Sequence, residues 1–127
     1  AQFSEDGTKL AVATGEDVQL YALPEIRIIG RLRHALPVSA IVFSADSARA
    51  VTLSSRADGN AIDEHICFAQ VWDCMQGRPL TEPVGLHRAS VRGLPELRFT
   101  PDGQRLLAIY HAMHNRFYTL MSIHVYD

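Results

Sequence analysis

The sequence predicts an all-β chain of about three four-stranded antiparallel units, and three observations predict it. Phe, a hydroxyl residue, any residue and Asp recur in that order at 3–6, 43–46 and 99–102, each time closing one apolar run and opening another. A later run recurs as VQLYAL from Val18, AQVWDC from Ala69 and IHVYD from Ile123, with an aromatic at Tyr21, Trp72 and Tyr126. No long stretch carries a 3.6-residue apolar period with caps, so helix is almost absent from the reading.

The elements follow in order. The runs 39–43 and 94–99 lead through the Asp-containing turns into second runs at 48–53 and 105–109, and 9–13 follows the first turn in the same way. Asp6-Gly7, Asp46-Ser47 and Pro101-Asp102-Gly103 are turn formers, so each pair reads as a β-hairpin. In the third run, aliphatic or small residues alternate with Gln19, Gln70 or His124, the two-residue period of a strand. The fourth element is EIRIIGRLRH, ending at His34, and GRPLTEPVGLH, ending at His87. Both read as irregular outer strands, since Pro79 and Pro83 cannot donate to a ladder and are tolerated at edges. Aromatic spacings of 51 residues (21 to 72) and 54 (72 to 126) fit a unit of about 40 to 45 residues with loop insertions. The reading is a β-propeller segment: a partial first blade at 1–34, a complete middle blade at 35–87 and a third blade at 88–127 that lacks its outer strand.

The stretch from His34 to Leu80, with HALPVSAIVFSADSARAVTLSS followed by FAQVWDCMQGRPL, resembles a WD-repeat of a β-propeller. It has a His before the first strand, a Phe-Ser-x-Asp turn, a Thr in the second strand and a third strand ending in Trp-Asp. The resemblance covers essentially the whole chain as three ordered repeats, and it implies a hydrogen-bonded structural set in the middle blade. His34, Thr52 and Trp72 match that set, with Asp63 or Asp58 as its fourth member in an expanded loop. The third repeat keeps His87 but has Ala108 for the Thr and Tyr126 for the Trp. The first offers Tyr21 with Val12 or Thr14, and no preceding His. Such a set is structural: its loss leaves buried groups unpaired. Rings of this kind have 4 to 8 blades, so the segment is expected to be incomplete at both ends, its remaining blades supplied by a longer polypeptide or by an oligomer.

Composition narrows the partners. A net charge of −2 and scattered basic residues give no footprint for nucleic acid. No apolar run approaches the roughly 20 residues of a membrane span, and no signal pattern opens the chain. The one basic cluster, Arg27, Arg31 and Arg33, reads as solvated charge on an edge strand. Cys67 and Cys74 lie an odd number of residues apart around Trp72, which places them on opposite faces. Two reduced, buried thiols suit a cytoplasmic protein.

Catalytic and cofactor chemistry lacks its patterns. There is no G-x-S-x-G nucleophile turn and no phosphate-binding glycine loop. The oxygens of Asp58, Asn60, Asp63 and Glu64 miss the spacing of a calcium loop. His111 and His114, with His124 and His65, lack an acidic or Cys partner for a metal. The expectation is no enzyme, no cofactor and no metal.

What remains is a surface for a protein or peptide. The loops between second and third strands are long, at 55–65 and 110–118. By the resemblance they share a rim with the connections 34–37 and 87–93. The candidate contacts are Arg56, Asp58, Asn60, Glu64 and His65 in the middle blade, Arg88 and Arg92 in the connection, and His111, His114, Asn115 and Arg116 in the last loop. The leading expectation is a noncatalytic interaction scaffold. Alternatives are a sensory or regulatory segment of a multidomain enzyme or signalling protein, and a TolB-type envelope propeller, which FTPDGQRLLAIY also resembles.

Overall fold

The computed structural model of the chain describes residues 1–57, 65–86, 96–111 and 118–124. Twelve strands in these residues form three antiparallel sheets. The first contains β1 (Gln2–Phe3), β2 (Lys9–Thr14), β3 (Asp17–Ala22) and β4 (Arg27–Arg33), paired in chain order. The second contains β5 (Val38–Phe43), β6 (Arg49–Ala57) and β7 (His65–Asp73), with β8 (Arg78–Pro79) and β9 (Val84–Gly85) both on the outer edge of β7. The third contains β10 (Glu96–Phe99), β11 (Arg105–His111) and β12 (Tyr118–His124).

The strand β5 touches β1, β2 and β10, whereas the outer β4 touches β8. First strands therefore gather on one side and last strands on the other, the radial order of propeller blades. The fold is an all-β propeller segment of antiparallel sheets.

The three turns between first and second strands have one construction. Ser4, Ser44 and Thr100 donate their hydroxyls to Asp6, Asp46 and Asp102 at 2.8, 2.7 and 2.6 Å. The same Asp oxygen accepts the N–H of Thr8, Ala48 or Gln104 at 3.0 Å. Each hydroxyl in turn accepts the N–H of Lys9, Arg49 or Arg105. This is why the sequence repeats a hydroxyl residue and an Asp two positions apart: together they satisfy turn N–H groups that no strand reaches. The turn also needs a left-handed residue, supplied by Gly7 (φ 73), Ser47 (φ 56) and Gly103 (φ 71).

Two apolar clusters fill the seams between sheets. Ala11, Val18, Leu20 and Leu32 of the first sheet meet Ala50, Trp72 and Cys74 of the second, with Phe43 packed against them. Val51, Leu53, Cys67, Ala69 and Val71 of the second meet Leu97, Leu106 and Ala108 of the third, with Phe99 packed alongside. Cys67 and Cys74 are both free and buried, one in each seam, on opposite faces as their spacing requires. Burial pushes the Cys74 thiol up to about 12, so at neutral pH it is an inert filler.

Some elements follow the sequence reading and others depart from it. The outer strand of the first sheet is a continuous seven-residue strand, its irregularity confined to a bulge opposite Leu20 and Tyr21. The outer strand around Pro79 and Pro83 is broken into two short pieces, as those prolines demand. The long loops are shorter than expected, because the ladder continues through Ser55↔Cys67, Arg56↔Ile66 and Ala57↔His65, and through His111↔Tyr118. Arg56, His65 and His111 are therefore strand residues. In the third sheet Ile123 pairs with Leu106, the position that Trp72 holds opposite Ala50. Tyr126, read as the Trp72 counterpart, lies outside the described residues. In the sequence, apolar residues take both alternating positions of 120–124, so alternation does not fix the register there.

Candidate interaction rim and its supporting network

The chain leaves β4 at Arg33 and enters β5 at Val38 through a connection held by the turn between β2 and β3. Val38 N–H donates to Gly15 O at 2.9 Å and His34 N–H to Glu16 O at 3.0 Å. His34 Nδ1 lies 3.1 Å from the same Glu16 carbonyl. A carbonyl can only accept, so Nδ1 carries the proton and Nε2 is left as an acceptor. Thr52 Oγ1, 2.6 Å from Nε2, therefore donates to it and receives the Trp72 Nε1–H at 2.9 Å. The result is one directed chain from indole to hydroxyl to imidazole to backbone carbonyl, with the His34 and Trp72 rings tilted at 5.2 Å.

Each link has a local cause. Thr52 is fully buried on β6 and Trp72 almost so on β7, and Ala50, two residues before Thr52, is directly opposite Trp72, leaving room for the indole to reach the hydroxyl. Burial pushes the half-buried His34 imidazole below its usual range, against the Glu16 and Leu32 backbone bonds and the Asp17 charge. Neutral His34 is thus the form that fits. In the first sheet Val12, not Thr14, occupies the place of Thr52, opposite Gln19 as Thr52 is opposite Gln70. Asp63 and Asp58 lie outside the described residues, and Nδ1 of His34 has its acceptor in Glu16.

Beside this network a cleft of about 340 Å³ opens between Arg33, Leu36, Phe68 and Pro83, with His34, Ala35, Ser54 and Gln70 completing its lining. Its walls are apolar, and its polar groups are few: Gln70 Nε2 is committed to Thr81 O at 3.0 Å, and Ser54 bonds Phe68 O at 3.5 Å. Arg33 is exposed. Arg56, the one expected contact whose side chain is described, is exposed at the same end of β6. Asp58, Asn60, Glu64, Arg88, Arg92, His114, Asn115 and Arg116 lie outside the described residues, and so does His87. His65 and His111 begin β7 and end β11 respectively. No group of three potential metal ligands occurs among the described residues, and no described helix is long and apolar enough to cross a membrane.

Sequence reasoning missed a second polar cluster, at the opposite end of the first seam. Asp6 Oδ2 accepts the Ser47 hydroxyl at 2.6 Å, Thr8 Oγ1 lies 3.3 Å from Ser47 Oγ, and Lys9 Nζ donates to it at 3.4 Å. The Ser47 hydroxyl first, then the Thr8 N–H and hydroxyl and the Ser4 hydroxyl, hold the Asp6 carboxyl well below the usual carboxylate range. The only trace in the sequence is a Ser where the two other turns have Gly.

No protein-family model matches the chain, and no curated protein matches it in sequence. Solved structures do match in fold. Hydrazine synthase of Kuenenia stuttgartiensis aligns over 96% of this chain and 37% of that one, with a TM-score of 0.62 at 16% identity. A structure described as the eukaryotic initiation factor aligns over 98% of this chain and 40% of its own, with a TM-score of 0.58 at 12% identity. The chain therefore spans about two fifths of the length of these structures, and what it shares with them is the propeller-like arrangement of antiparallel sheets.

Proposed function

We propose that the chain is a noncatalytic, WD-repeat-like propeller module that holds an extended peptide segment of a partner protein at the rim beside His34. The observation that carries this reading is the cleft bounded by Leu36, Phe68 and Pro83, with the exposed Arg33 in its lining. Apolar walls with a few placed polar groups are the usual make-up of a recognition pocket. Beneath them the His34, Thr52 and Trp72 chain fixes the connection that forms one wall, so the pocket is built on rigid strands. The Thr52 hydroxyl that meets the His34 imidazole is fully buried and committed to the Trp72 indole, which favours a structural role for that pair over chemistry.

The test is selection of a random displayed-peptide library on the purified chain. Enriched sequences should bind a defined site, and Leu36→Glu or Arg33→Glu should weaken them by about tenfold or more without altering the circular dichroism spectrum. Peptides whose affinity neither substitution changes, or no enrichment above an unrelated all-β protein, would overturn the reading.

A further inference from the structure

The cleft beside His34 is apolar in its walls and unbalanced in charge. Its lining comes from the end of β4, the connection to β5, the strands β6 and β7, and the residue before β9. With His34 neutral, Arg33 is the one lining residue that carries a full charge. Arg33 is exposed and makes no ion pair among the described residues: Asp17, directly opposite it across β3 and β4, pairs with Arg31 at 4.0 Å instead. Arg56 lies two residues beyond Ser54 on β6, so both side chains leave the same face of the sheet. It too is exposed and has no ion pair among the described residues. The acids described nearby do not compensate. Glu16, in the turn that holds the connection, and Glu82, beside Pro83, are exposed and line no part of the cleft.

We propose that the peptide segment held in this cleft is acidic: an apolar side chain sits between Leu36, Phe68 and Pro83, and an Asp or Glu within two residues of it pairs with Arg33 and Arg56. This rests on the reading of the cleft as a peptide site and names the chemistry of the partner. A guanidinium offers its donors as a planar fork that matches a carboxylate, so an arginine without a partner beside an apolar pocket selects for that group. The short distance in sequence between anchor and acid follows from Arg33 sharing one lining with Leu36, Phe68 and Pro83. Two cations on a chain of net charge −2 suit a single carboxylate beside an apolar side chain; a polyanion would need a broad basic surface.

Selection of a random displayed-peptide library on the purified chain, followed by titration of one enriched peptide and of its Asp→Asn or Glu→Gln form, tests this. Enriched sequences should carry Asp or Glu within two residues of an apolar side chain, and removing that charge should weaken binding by about fivefold. Raised salt should weaken the acidic peptide and leave the amide form unchanged. On a chain carrying both Arg33→Gln and Arg56→Gln, with an unaltered circular dichroism spectrum, the acidic and amide peptides should bind alike. An enriched set without acidic bias overturns the proposal, and so does an acid whose removal weakens binding equally on the parent and on the doubly substituted chain. Peptides that Leu36→Glu releases and the double substitution leaves untouched overturn the acidic assignment alone, while the peptide site stands. Absence of any enriched peptide overturns both.

Discussion

Replacing Thr52 by valine removes a hydroxyl from a fully buried position and leaves its shape nearly unchanged. The Trp72 Nε1–H, on a ring only 4% exposed, then has no acceptor, and an unsatisfied buried donor costs about 1 to 3 kcal/mol. His34 Nε2 also loses its donor, but the ring is half-buried and water can serve it, so that end adds at most about 0.5 kcal/mol. The methyl that replaces the hydroxyl returns up to about 0.8 kcal/mol. The net expectation is a loss of about 2 kcal/mol, measured by urea unfolding at fixed protein concentration and followed by the fluorescence of Trp72, the only tryptophan. Thr52→Ser keeps the hydroxyl and removes a methyl, costing about 1 kcal/mol. The two variants separate further by hydrogen exchange of the indole N–H, which serine protects and valine exposes. A valine variant as stable as the parent, with its indole proton exchanging no faster, would refute the directed chain.

Three more expectations follow from the geometry. Because burial lowers the His34 pKa from its usual 6.5, the unfolded chain binds more protons below that value. Its contribution to stability is complete above pH 6.5 and is lost as the pH falls towards the folded-state value, and a His34 ring-proton titration with its midpoint at or above 6.5 would contradict this. Gly30 approaches Gly77 so closely that a methyl on Gly30 would lie 3.3 Å from the Gly77 Cα. Gly30→Ala should therefore push β4 from the turn before β8 and cost about 1 to 2 kcal/mol, seen as a lower urea midpoint. Ile26 holds a left-handed φ of 59° while 67% exposed. Ile26→Gly removes a strain of about 1 to 2 kcal/mol at an entropic cost of about 0.5 to 1, so the melting temperature should rise; a fall would show that the exposed isoleucine makes a stabilising contact.

Much of the fold is written in residue types. The turns are legible because Ser or Thr with Asp two positions on has one local use, and the order of strands is legible because a third strand follows each hairpin, carrying its aromatic at Tyr21 and Trp72 in the first two sheets. The ends of the long strands were not legible, since Ser54, Ser55 and Arg56 continue β6 with polar side chains that carry no apolar alternation. For the same class of reason the acceptor of His34 Nδ1 was not legible: it is the Glu16 carbonyl, a group every residue possesses, made available by the fold of a neighbouring sheet. The cleft walls escaped because Leu36, Phe68 and Pro83 come from three separate elements, and no spacing along the chain announces their meeting.

One position decides how the two seams differ at their turn end. Ser47 accepts a left-handed backbone at a cost of about 1 to 2 kcal/mol, and its hydroxyl bonds the charged Asp6 across the seam. The bond offsets part of that strain and ties the two sheets at their turns. In the second seam Gly103 has no hydroxyl to offer Asp46, and Arg49 makes the crossing instead, to the Gly103 carbonyl. A cleft of about 540 Å³ remains there, bordered by Asp46, Arg49, Asp73, Arg78 and Asp102. An added Cβ on Gly103 meets nothing within 4 Å, so the opening does not arise from crowding. It arises because the second seam draws its cohesion from the larger apolar cluster around Val51, Leu53 and Val71 and can leave its turn end open, whereas the first seam, with alanines at Ala11 and Ala50, is drawn closed by a polar bridge.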